Sequence, residues 1–511
     1  MAPAQILQPT KFTDQLLPTN NNASSRNGSF SEGAMPPKSK TSCSGIFRNK
    51  FRFFILILGT LCLTSVFANM LTLNFTIICM DPMAAKEHNL TTNYQHPVYI
   101  YSQVEKTFLQ WTVAIASAVA TFPFSYICSH YGAKHVFVVF GILSALSTAA
   151  IPIAASMGFG WFIFVRVFQG LAYACDFAVV GVMCTRWAAL RENAKFLSVL
   201  TCFSSLASFL TNVFAGMICD SSLGWPWVHY LFAIVSLFLF VAWIVFYTDD
   251  PQYNPFVTPK ELSVIHLDKS DAHRVRERFV PYLEILKSKV VWTVWLNAFA
   301  VIFSEFFLFI YAPTYIKNVL GYGTTETGFL GAVVALAHIP FKMASGYASD
   351  TFHCLPERKK MWFFNSIALL IPAAVYIYLC YAPAGVPILT VILFCTVQAA
   401  LGFNSGGYYK CGALVSRQYA EFVIAFTQFI KCLVFFVAPA LVAIFVQDDK
   451  NALQWHIIFY IIAGTLIFAN AVFCVYATNK PAGFTHITLQ NKEEVKYYKK
   501  NGEATATTIV D

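Results

Sequence analysis

Hydrophobic residues are concentrated in twelve stretches of roughly 20 residues, and polar segments separate them. Each stretch is long enough to cross about 30 Å of hydrocarbon as a helix. The first six lie near 53–78, 107–128, 136–156, 160–183, 196–219 and 227–247, and the second six lie near 290–312, 327–348, 362–382, 386–409, 422–446 and 455–477. This pattern predicts an all-α membrane protein with twelve transmembrane helices in two six-helix halves.

Polar segments at the two ends and in the middle divide the chain into five parts. The first segment is rich in Asn, Ser and Pro, which is typical of a disordered tail. The middle segment mixes acidic and basic residues and predicts a short amphipathic helix from Pro259. The predicted order is an N-terminal tail (1–50), a first six-helix half (51–247), a middle loop (248–289), a second six-helix half (290–478) and a C-terminal tail (479–511).

Lys and Arg residues, which favour the cytoplasmic side of a membrane, are unevenly distributed between the stretches. They precede the first stretch and occur in the turns after the second, fourth and eighth stretches, whereas the opposite connections hold few of them. Both termini and the middle loop are therefore predicted to be cytoplasmic. Asn89 begins an Asn-Leu-Thr sequon in the first predicted outer loop and is a predicted glycosylation site.

The composition excludes several other classes of protein. Hydrophobic residues make up 57% and charged residues only 12% of the chain, whereas soluble proteins are about 25% charged. The net charge of +9 lies mostly in tails and loops, so it indicates topology and predicts no nucleic-acid partner. Most of the 14 scattered Cys residues are expected to be small buried side chains and not a disulfide frame or a metal site. The sequence has no clustered Cys/His set, nucleophile elbow or phosphate loop, so no cofactor and no enzymatic activity are predicted.

The fourth stretch carries a polar stripe. Four side chains fall within an arc of roughly 80° on a helix that turns about 100° per residue: Arg166, Gln169, Tyr173 and Asp176. A charged side chain near the middle of a membrane costs at least ~2.5 kcal/mol, so two charges on one face need a polar environment. The stripe is therefore predicted to line a cavity.

The residues of this stripe have alternative interpretations. Arg166 either holds a carboxylate or phosphate with paired hydrogen bonds or caps backbone carbonyls of a neighbouring helix. Asp176 either carries a proton or pairs with a Lys or Arg of another helix. Tyr173 is predicted to line the cavity and to offer a hydroxyl donor. Arg166 and Tyr173 are thus candidate substrate contacts, and Asp176 is a candidate ion-coupling residue.

The second half contains charged residues within its own apolar stretches. Glu305, midway along the seventh stretch, is a candidate ion-coupling residue, with structural pairing as the alternative. Lys431, well inside the eleventh stretch, is a candidate substrate contact because it makes the cavity electropositive. Lys342 and Lys410 are expected to extend their ammonium groups to the cytosol.

Two further features of the second half are less specific. Asn404 begins an Asn-Ser-Gly-Gly segment in the tenth stretch. This segment either unwinds and exposes carbonyls to a substrate, with Asn404 as a contact, or allows close helix packing. His338 is expected to be a hydrogen-bonded histidine between helices in preference to a proton relay.

A similar turn follows the second helix of each half. It contains Gly132 and Lys134 in the first half, and Gly346, Asp350 and Arg358 in the second. Paired signatures are typical of transporters that are built from two parallel repeats, so these residues are candidate cytoplasmic gating turns. The alternative is that the basic residues only fix the topology.

The twelve-helix layout and the turn at Gly346, Asp350 and Arg358 resemble the major facilitator superfamily. Within it, the chain is similar to the anion/phosphate branch, which contains sialin, the vesicular glutamate transporters and sodium–phosphate cotransporter-like proteins. Further residues that match this branch are Arg166 to Gly170, Trp187, Gly216, Gly224, Trp225, Asp250, Pro251, Gly402 to Asn404, Pro439, Trp455 and Phe459. The resemblance implies a monomeric transporter in a plasma, lysosomal or vesicular membrane. It would move a small organic or inorganic anion by alternating access, coupled to protons or sodium.

The chain departs from this branch at several positions. Asn69 and Met70 stand late in the first stretch, where the branch usually has an Arg. Tyr173 stands where the branch often has a Glu, and Ser129 replaces an Asp of the first-half turn. These departures support a second hypothesis, in which a transporter-like protein has lost coupled transport and acts as a solute sensor or scaffold.

Overall fold

The computed structural model describes residues 49–80, 99–189, 192–267, 280–351, 355–381 and 386–487. Within these residues, twelve helices are long and apolar enough to cross a membrane. This confirms the all-α transmembrane fold that the hydrophobic pattern predicts. The predicted glycosylation site, Asn89, lies outside the described residues.

The membrane helices follow the two sets of apolar stretches. The first six are α1 (Phe51–Cys79), α2 (Gln103–Tyr131), α3 (Ala133–Met157), α4 (Phe159–Tyr173 and Asp176–Trp187), α5 (Asn193–Thr201 and Phe203–Cys219) and α6 (Gly224–Phe246). The second six are α7 (Lys289–Asn318), α8 (Thr324–Leu336 and His338–Thr351), α9 (Glu357–Leu379), α10 (Pro387–Leu401 and Tyr408–Ser416), α11 (Ala420–Phe445) and α12 (Ala452–Tyr476).

Four of these helices are interrupted within the membrane span. The breaks lie at Ala174 and Cys175 in α4, at Cys202 in α5, at Ala337 in α8, and at the 3-10 turn Gly402–Gly406 in α10. α4 and α10 are the fourth helices of their halves, so their breaks occupy corresponding positions. Interrupted helices in corresponding positions of two repeats free backbone groups near the membrane centre, where transporters bind their substrates. The breaks therefore direct attention to the centre of the bundle.

Helices α5 and α8 connect the two halves along one seam. On the predicted outer side, a Cβ atom on Gly328 would lie 2.9 Å from the Cα of Gly216, so the two backbones are in close contact. On the predicted cytoplasmic side, a Cβ atom on Gly346 would lie 3.0 Å from the Oγ of Ser198. The seam is therefore closed near both of its ends.

Helices α2 and α11 form a second seam between the halves. Trp111 stacks on Phe436 with 4.7 Å between the ring centres, and its Nε1–H donates to the Phe436 carbonyl at 2.9 Å. Nearer the predicted cytoplasmic side, the rings of Phe122 and Phe429 pack at 5.6 Å. The two seams hold the halves together both above and below the membrane centre.

The short helix predicted from Pro259 is present as Pro259–His266. The Thr258 side chain caps it by accepting a hydrogen bond from the Glu261 N–H at 3.2 Å. The Glu261 carboxylate in turn accepts from the backbone N–H of Arg52 at 2.8 Å, and the Arg52 side chain pairs with Glu192 at 3.0 Å. The middle loop is thereby fixed to the beginning of α1.

The first predicted gating turn lies between α2 and α3. Gly132 has a φ of 89°, a conformation that favours glycine. The carboxylate of Asp249, which follows α6, accepts from the backbone N–H groups of Ala133 at 2.7 Å and Lys134 at 3.0 Å. This turn therefore binds the exit of α6 to the start of α3.

The second predicted gating turn lies between α8 and α9. Asp350 belongs to the last turn of α8, and Gly346 packs against α5. The guanidinium of Arg358 lies 4.8 Å from the ring centre of Trp362, one turn further along α9. A gating role for either turn remains a prediction.

Cys79 and Cys219 form a disulfide that joins the predicted outer ends of α1 and α5. This pair is an exception to the expectation that the Cys residues are small buried side chains. Its partners are 140 residues apart, so no local spacing signals the pairing. Disulfides persist in oxidising compartments and not in the cytosol. The position of this one therefore agrees with the predicted orientation.

Candidate functional site

The break in α4 places two predicted site residues between the halves. Tyr173 ends the first segment of α4 and Asp176 begins the second, and both side chains are fully buried. Gln428 of α11 donates its Nε2–H to the Tyr173 carbonyl at 3.1 Å. The first half therefore contacts the second half directly at this break.

The carboxylate of Asp176 is buried without compensation. Neither of its oxygens has a hydrogen-bond partner among the described residues. Burying a charged group without a partner is costly, and the positive end of a helix dipole offsets only part of that cost. Asp176 therefore has the properties of a group whose partner arrives with a bound proton, cation or solute.

The ammonium of Lys431 on α11 lies inside a cage of aromatic rings. Its Nζ is between 4.6 and 5.2 Å from five ring centres: Phe67, Tyr173, Phe177, Phe203 and Phe306. These rings belong to α1, α4, α5 and α7, so both halves contribute. A desolvated cation–π contact stabilises by about 2 kcal/mol. The aromatic cage therefore holds a positive charge at the interface between the halves.

Phe435, one turn after Lys431, completes the aromatic cage. Its ring packs against Phe306 at 4.9 Å and against Tyr173 at 5.9 Å. Both packing arrangements are edge-to-face, which is a favourable geometry for aromatic pairs. The cage is thus a packed aromatic core with one charged group at its centre.

Two carboxylates lie within electrostatic reach of Lys431. Asp176 interacts with it more strongly, and Glu305 interacts with it less strongly. Among the described residues, neither carboxylate forms an ion pair with the Lys431 ammonium. The structure thus brings Tyr173, Asp176, Glu305 and Lys431 to one region, and Lys431 forms no ion pair with the described carboxylates there.

Glu305 of α7 faces α5 and α8. Its Oε1 accepts a hydrogen bond from the Ser204 hydroxyl at 3.1 Å and lies 4.0 Å from the Nε2 of His338. Gln398 of α10 donates its Nε2–H to the backbone carbonyl of Glu305 at 3.4 Å. Residues of α5 and α8 therefore meet at this carboxylate, close to the breaks in those helices, and α10 contacts the backbone of the same residue.

The two lysines that were expected to extend to the cytosol differ. Lys342 is only 3% exposed, and its Nζ donates to the Thr201 carbonyl beside the break in α5 at 3.4 Å. The expectation is wrong for Lys342 because the break supplies an acceptor inside the bundle. Lys410 pairs with Glu357 at the start of α9 at 2.6 Å.

Arg166 lies in the interior of the first half and is fully buried. Its Nε donates to the Leu109 carbonyl and its Nη1 to the Met70 carbonyl, both at 3.3 Å. Nη1 also donates to the Oε1 of Gln169 at 2.6 Å. These bonds match the structural interpretation of Arg166. Its Nη2 has no partner in the part of the chain that the structure describes, so a substrate contact remains a prediction.

Asn69 of α1 is bound within the first half. Its Nδ2 donates to the Ser144 hydroxyl at 3.0 Å and to the Ser236 hydroxyl at 3.3 Å. Its backbone carbonyl accepts from Gln169 at 3.1 Å. Asn69 is therefore part of a hydrogen-bond network that reaches Arg166 through Gln169.

The glycine-rich segment of α10 is a tightly packed 3-10 turn. A Cβ atom on Gly402 would lie 2.9 Å from the His338 carbonyl oxygen, and one on Gly407 would lie 3.0 Å from the Cα of Asn365. Close packing against α8 and α9 therefore explains both glycines. Asn404 is buried, and no residue that the structure describes bonds to its Oδ1. Its role as a substrate contact remains a prediction.

The sequence predicts only Tyr173 among the five rings of the aromatic cage. The chain has 50 Phe residues, and most membrane-protein Phe side chains face lipid or fill the core. The cage rings come from four helices, so no spacing in the sequence connects them. The charged residues provide the available signal, since a buried lysine needs compensating neighbours.

The fold and this buried, charged centre define a class of protein: membrane transporters that are built from two six-helix repeats. The sequence profile of the Major Facilitator Superfamily matches residues 53–439. The chain belongs to this superfamily.

Curated relatives place the chain on one branch of the superfamily. Sodium-dependent phosphate transport protein 1 of Mus musculus is 26% identical over 443 residues, which cover 84% of this chain and 93% of that protein. Sialin of Homo sapiens is 27% identical over 367 residues, which cover 70% of this chain and 72% of that protein. The probable small intestine urate exporter of Mus musculus is 24% identical over 459 residues, which cover 84% and 92%. The predicted resemblance to the anion/phosphate branch is confirmed, and the chain is a divergent member.

Solved structures agree on the fold. A D-xylose–proton symporter superposes with a TM-score of 0.61 at 13% identity and covers 86% of this chain and 99% of its own. A bacterial homolog of the human lysosomal transporter Spinster, inward-facing and occupied, gives a TM-score of 0.59 at 13% identity. That alignment covers 83% of this chain and 97% of the homolog. At this identity, the likeness concerns the fold alone.

Proposed function

We propose that the chain is a secondary active transporter that moves a small organic or inorganic anion across a membrane by alternating access. The observation that carries this proposal is the Lys431 ammonium, which lies buried between the halves and is surrounded by rings. An intramembrane cation that has no ion-pair partner among the described residues marks a candidate site for an anion. The relatives named for phosphate transport and urate export support the same class of solute.

The geometry supports alternating access around this centre. The two seams, α5 with α8 and α2 with α11, hold the halves together on both sides of the aromatic cage. Opening either side requires one end of each seam to separate while the other end stays closed. The breaks in α4 and α10 lie between these ends and supply free backbone groups to the solute.

Asp176 and Glu305 are the proposed coupling residues for a proton or a sodium ion. Both are buried, and both lie within electrostatic reach of Lys431. An anion bound at Lys431 reduces the positive potential at these carboxylates, and this favours a coupled cation beside them. Arg166, Tyr173 and Asn404 are the proposed additional contacts for the solute.

We further propose the cellular setting. Both termini and the middle loop lie in the cytoplasm, and the protein acts as a monomer in a plasma, lysosomal or vesicular membrane. The gating turns at Gly132, Lys134, Gly346, Asp350 and Arg358 close the cytoplasmic side. No catalysis, cofactor or nucleic acid is involved. The Cys79–Cys219 disulfide supports this orientation because it joins helix ends on the predicted outer side.

The proposal is tested with purified full-length protein in liposomes. Labelled inorganic phosphate, urate and benzoate are offered under an imposed pH gradient or an imposed sodium gradient. The proposal expects at least one of these anions to accumulate several-fold above protein-free liposomes. Dissipating the gradient with an ionophore should abolish the accumulation. If none of the anions accumulates under either gradient, the proposal fails.

A solute sensor or scaffold is the second candidate function. Arg166 favours it, because carbonyls and Gln169 engage this residue instead of leaving it open to a solute. A sensor binds one of the three anions, which raises the melting temperature of the purified protein, but shows no flux. Gradient-driven accumulation of any of them excludes this candidate.

A further inference from the structure

The hydrogen bond between His338 and Gln398 determines which nitrogen of the imidazole carries a proton. The Nδ1 of His338 lies 3.1 Å from the backbone carbonyl oxygen of Gln398. A carbonyl oxygen only accepts hydrogen bonds, so Nδ1 must be the donor. In the neutral ring, Nε2 therefore has no hydrogen and carries a lone pair.

This lone pair faces a carboxylate. The Nε2 of His338 lies 4.0 Å from the Oε1 of Glu305, and both side chains are buried. Nε2 has no hydrogen-bond partner elsewhere in the described ranges. An ionised Glu305 and a neutral His338 would present two acceptors to each other with no hydrogen between them. One proton added to Glu305 turns its carboxylate into a donor, which can bond to the Nε2 lone pair once the two side chains approach from 4.0 Å.

We propose that Glu305 and His338 share one proton and that this proton is the coupling ion of the transporter. The proposal rests on the proposed function and deepens it, because it names both the ion and its binding site. Loading adds one proton to the pair, and release returns that proton to water. His338 thereby gains a role that the sequence does not favour, whereas Glu305 keeps its predicted one.

The neighbours of the pair explain how proton and anion are linked. Among the described residues, Lys342 of α8 acts electrostatically on His338 and Lys431 of α11 on Glu305, and Ser204 of α5 donates to Glu305. The other titratable groups that interact electrostatically with Glu305 are Tyr408 and Tyr409 of α10, Tyr173 of α4 and Cys202 of α5. The two ammonium groups oppose loading of a further positive charge. An anion bound at Lys431 cancels part of that opposition, so the anion and the proton each favour binding of the other.

A sodium ion fits this site less well. Hard cations prefer a shell of oxygen ligands, whereas an imidazole nitrogen faces Glu305 here. The ammonium of Lys342 lies one turn from His338 on the same helix and adds like-charge repulsion. A proton needs only the two facing acceptors, and both are already present.

Transport in liposomes tests the proposal with the full-length protein. The probes are labelled inorganic phosphate, urate and benzoate, without sodium. The wild type should accumulate at least one probe under an inward proton gradient. In Glu305→Gln the amide N–H donates to His338 and imitates the loaded pair. This variant should keep equilibrium exchange of that probe but lose gradient-driven accumulation by tenfold or more. His338→Gln should shift the pH dependence of accumulation, whereas His456→Gln, a partly exposed histidine of α12, should match the wild type.

An infrared titration of the purified protein tests the same pair without any solute. The wild type should show the carbonyl band of a protonated carboxylic acid that is absent in Glu305→Gln and shifted in His338→Gln. Glu284→Gln, which alters a carboxylate outside the membrane helices, should retain the wild-type band.

The outcomes separate the two proposals. If a sodium gradient but not a proton gradient drives wild-type accumulation, the shared proton is wrong while anion transport stands. The same conclusion follows if Glu305→Gln accumulates like the wild type, or if neither variant changes the infrared band. If the wild type transports none of the probes, the proposed function fails, and the infrared band alone then decides whether the pair binds a proton.

Discussion

The ammonium of Lys431 on α11 lies 4.6 Å from the ring centre of Phe203 on α5. Lys431 belongs to the second half, and Phe203 is the first residue after the break in α5, in the first half. These two residues lie on opposite sides of the interface, so the contact breaks when the halves separate. The Lys431–Phe203 contact therefore forms only when the halves are closed around the aromatic cage, and it then holds the Lys431 ammonium in place.

Replacing Phe203 by Leu should make the aromatic cage and the neighbouring Cys202 more accessible to solvent. The substitution removes one desolvated cation–π contact, which stabilises by about 2 kcal/mol, but keeps an apolar side chain. A loss of this size raises the equilibrium population in which the cage is open by up to about 30-fold. Mass spectrometry of thiol labelling at Cys202, a buried free cysteine beside the break, measures that exposure. Phe238→Leu on α6, at a ring that is 73% exposed, is the matched control and should label like the wild type. Equal labelling of Cys202 in both variants would show that the ring does not stabilise the closed centre.

Gly328→Ala should separate the predicted outer end of the α5–α8 seam. The new Cβ atom would lie 2.6 Å from the Asn212 carbonyl oxygen, which is too close for helices to keep their spacing. Spin labels at Ser221 and Glu326 report the distance across this end, and we expect that distance to increase. Gly464→Ala on α12 has open space around the new Cβ and should leave the distance unchanged. An unchanged distance in Gly328→Ala contradicts the importance of this backbone contact.

Arg166→Met should destabilise the first half. The substitution removes the Arg166 hydrogen bonds to the Leu109 and Met70 carbonyls and to Gln169, and a hydrogen bond to a charged group contributes about 1.5–3 kcal/mol. The melting temperature in detergent should fall sharply, whereas Lys195→Met at an exposed position should preserve it. Arg166→Lys separates the two interpretations, because it keeps the charge but loses the planar fork. If Arg166→Lys keeps the wild-type melting temperature and abolishes anion exchange, Arg166 acts on the solute and not on the fold.

Cys79 and Cys219 should be recovered as a linked peptide pair when the protein is digested without reductant. Replacing both by Ser should lower the free energy of unfolding by about 2–5 kcal/mol, because the crosslink closes a long loop. Cys395→Ser, at a free and half-buried cysteine, should have little effect. Recovery of both peptides in the unlinked, reduced form would refute the crosslink and remove one argument for the orientation.

The fold could be predicted from the sequence because membrane helices depend on a simple property. Each helix must bury all its backbone hydrogen bonds in hydrocarbon, so it appears as a continuous apolar stretch. The short helix at Pro259 was also predictable, since its Thr258 cap and Pro at the first turn are local signals. These features depend on neighbours in the sequence.

The candidate site between the halves could be predicted only in part. Asp176, Glu305 and Lys431 are conspicuous because charges are rare within apolar stretches, and the structure brings them to one region. The burial of Lys342 and the four Phe rings of the cage escaped prediction because their surroundings depend on contacts between distant helices. The Thr201 carbonyl that holds Lys342 becomes free only where α5 breaks, which the sequence does not signal. The Cys79–Cys219 disulfide escaped for the same reason.

Equilibrium exchange of labelled phosphate, urate and benzoate by Lys431 variants tests the central claim most directly. The account predicts that the wild type exchanges at least one of these anions and that Lys431→Met lowers the rate of exchange at least tenfold. Lys431→Arg should retain part of the activity because it preserves the positive charge, and Lys289→Met, at an exposed lysine that begins α7, should match the wild type. Exchange at the wild-type rate in Lys431→Met would contradict the claim that the buried ammonium between the halves binds the anion.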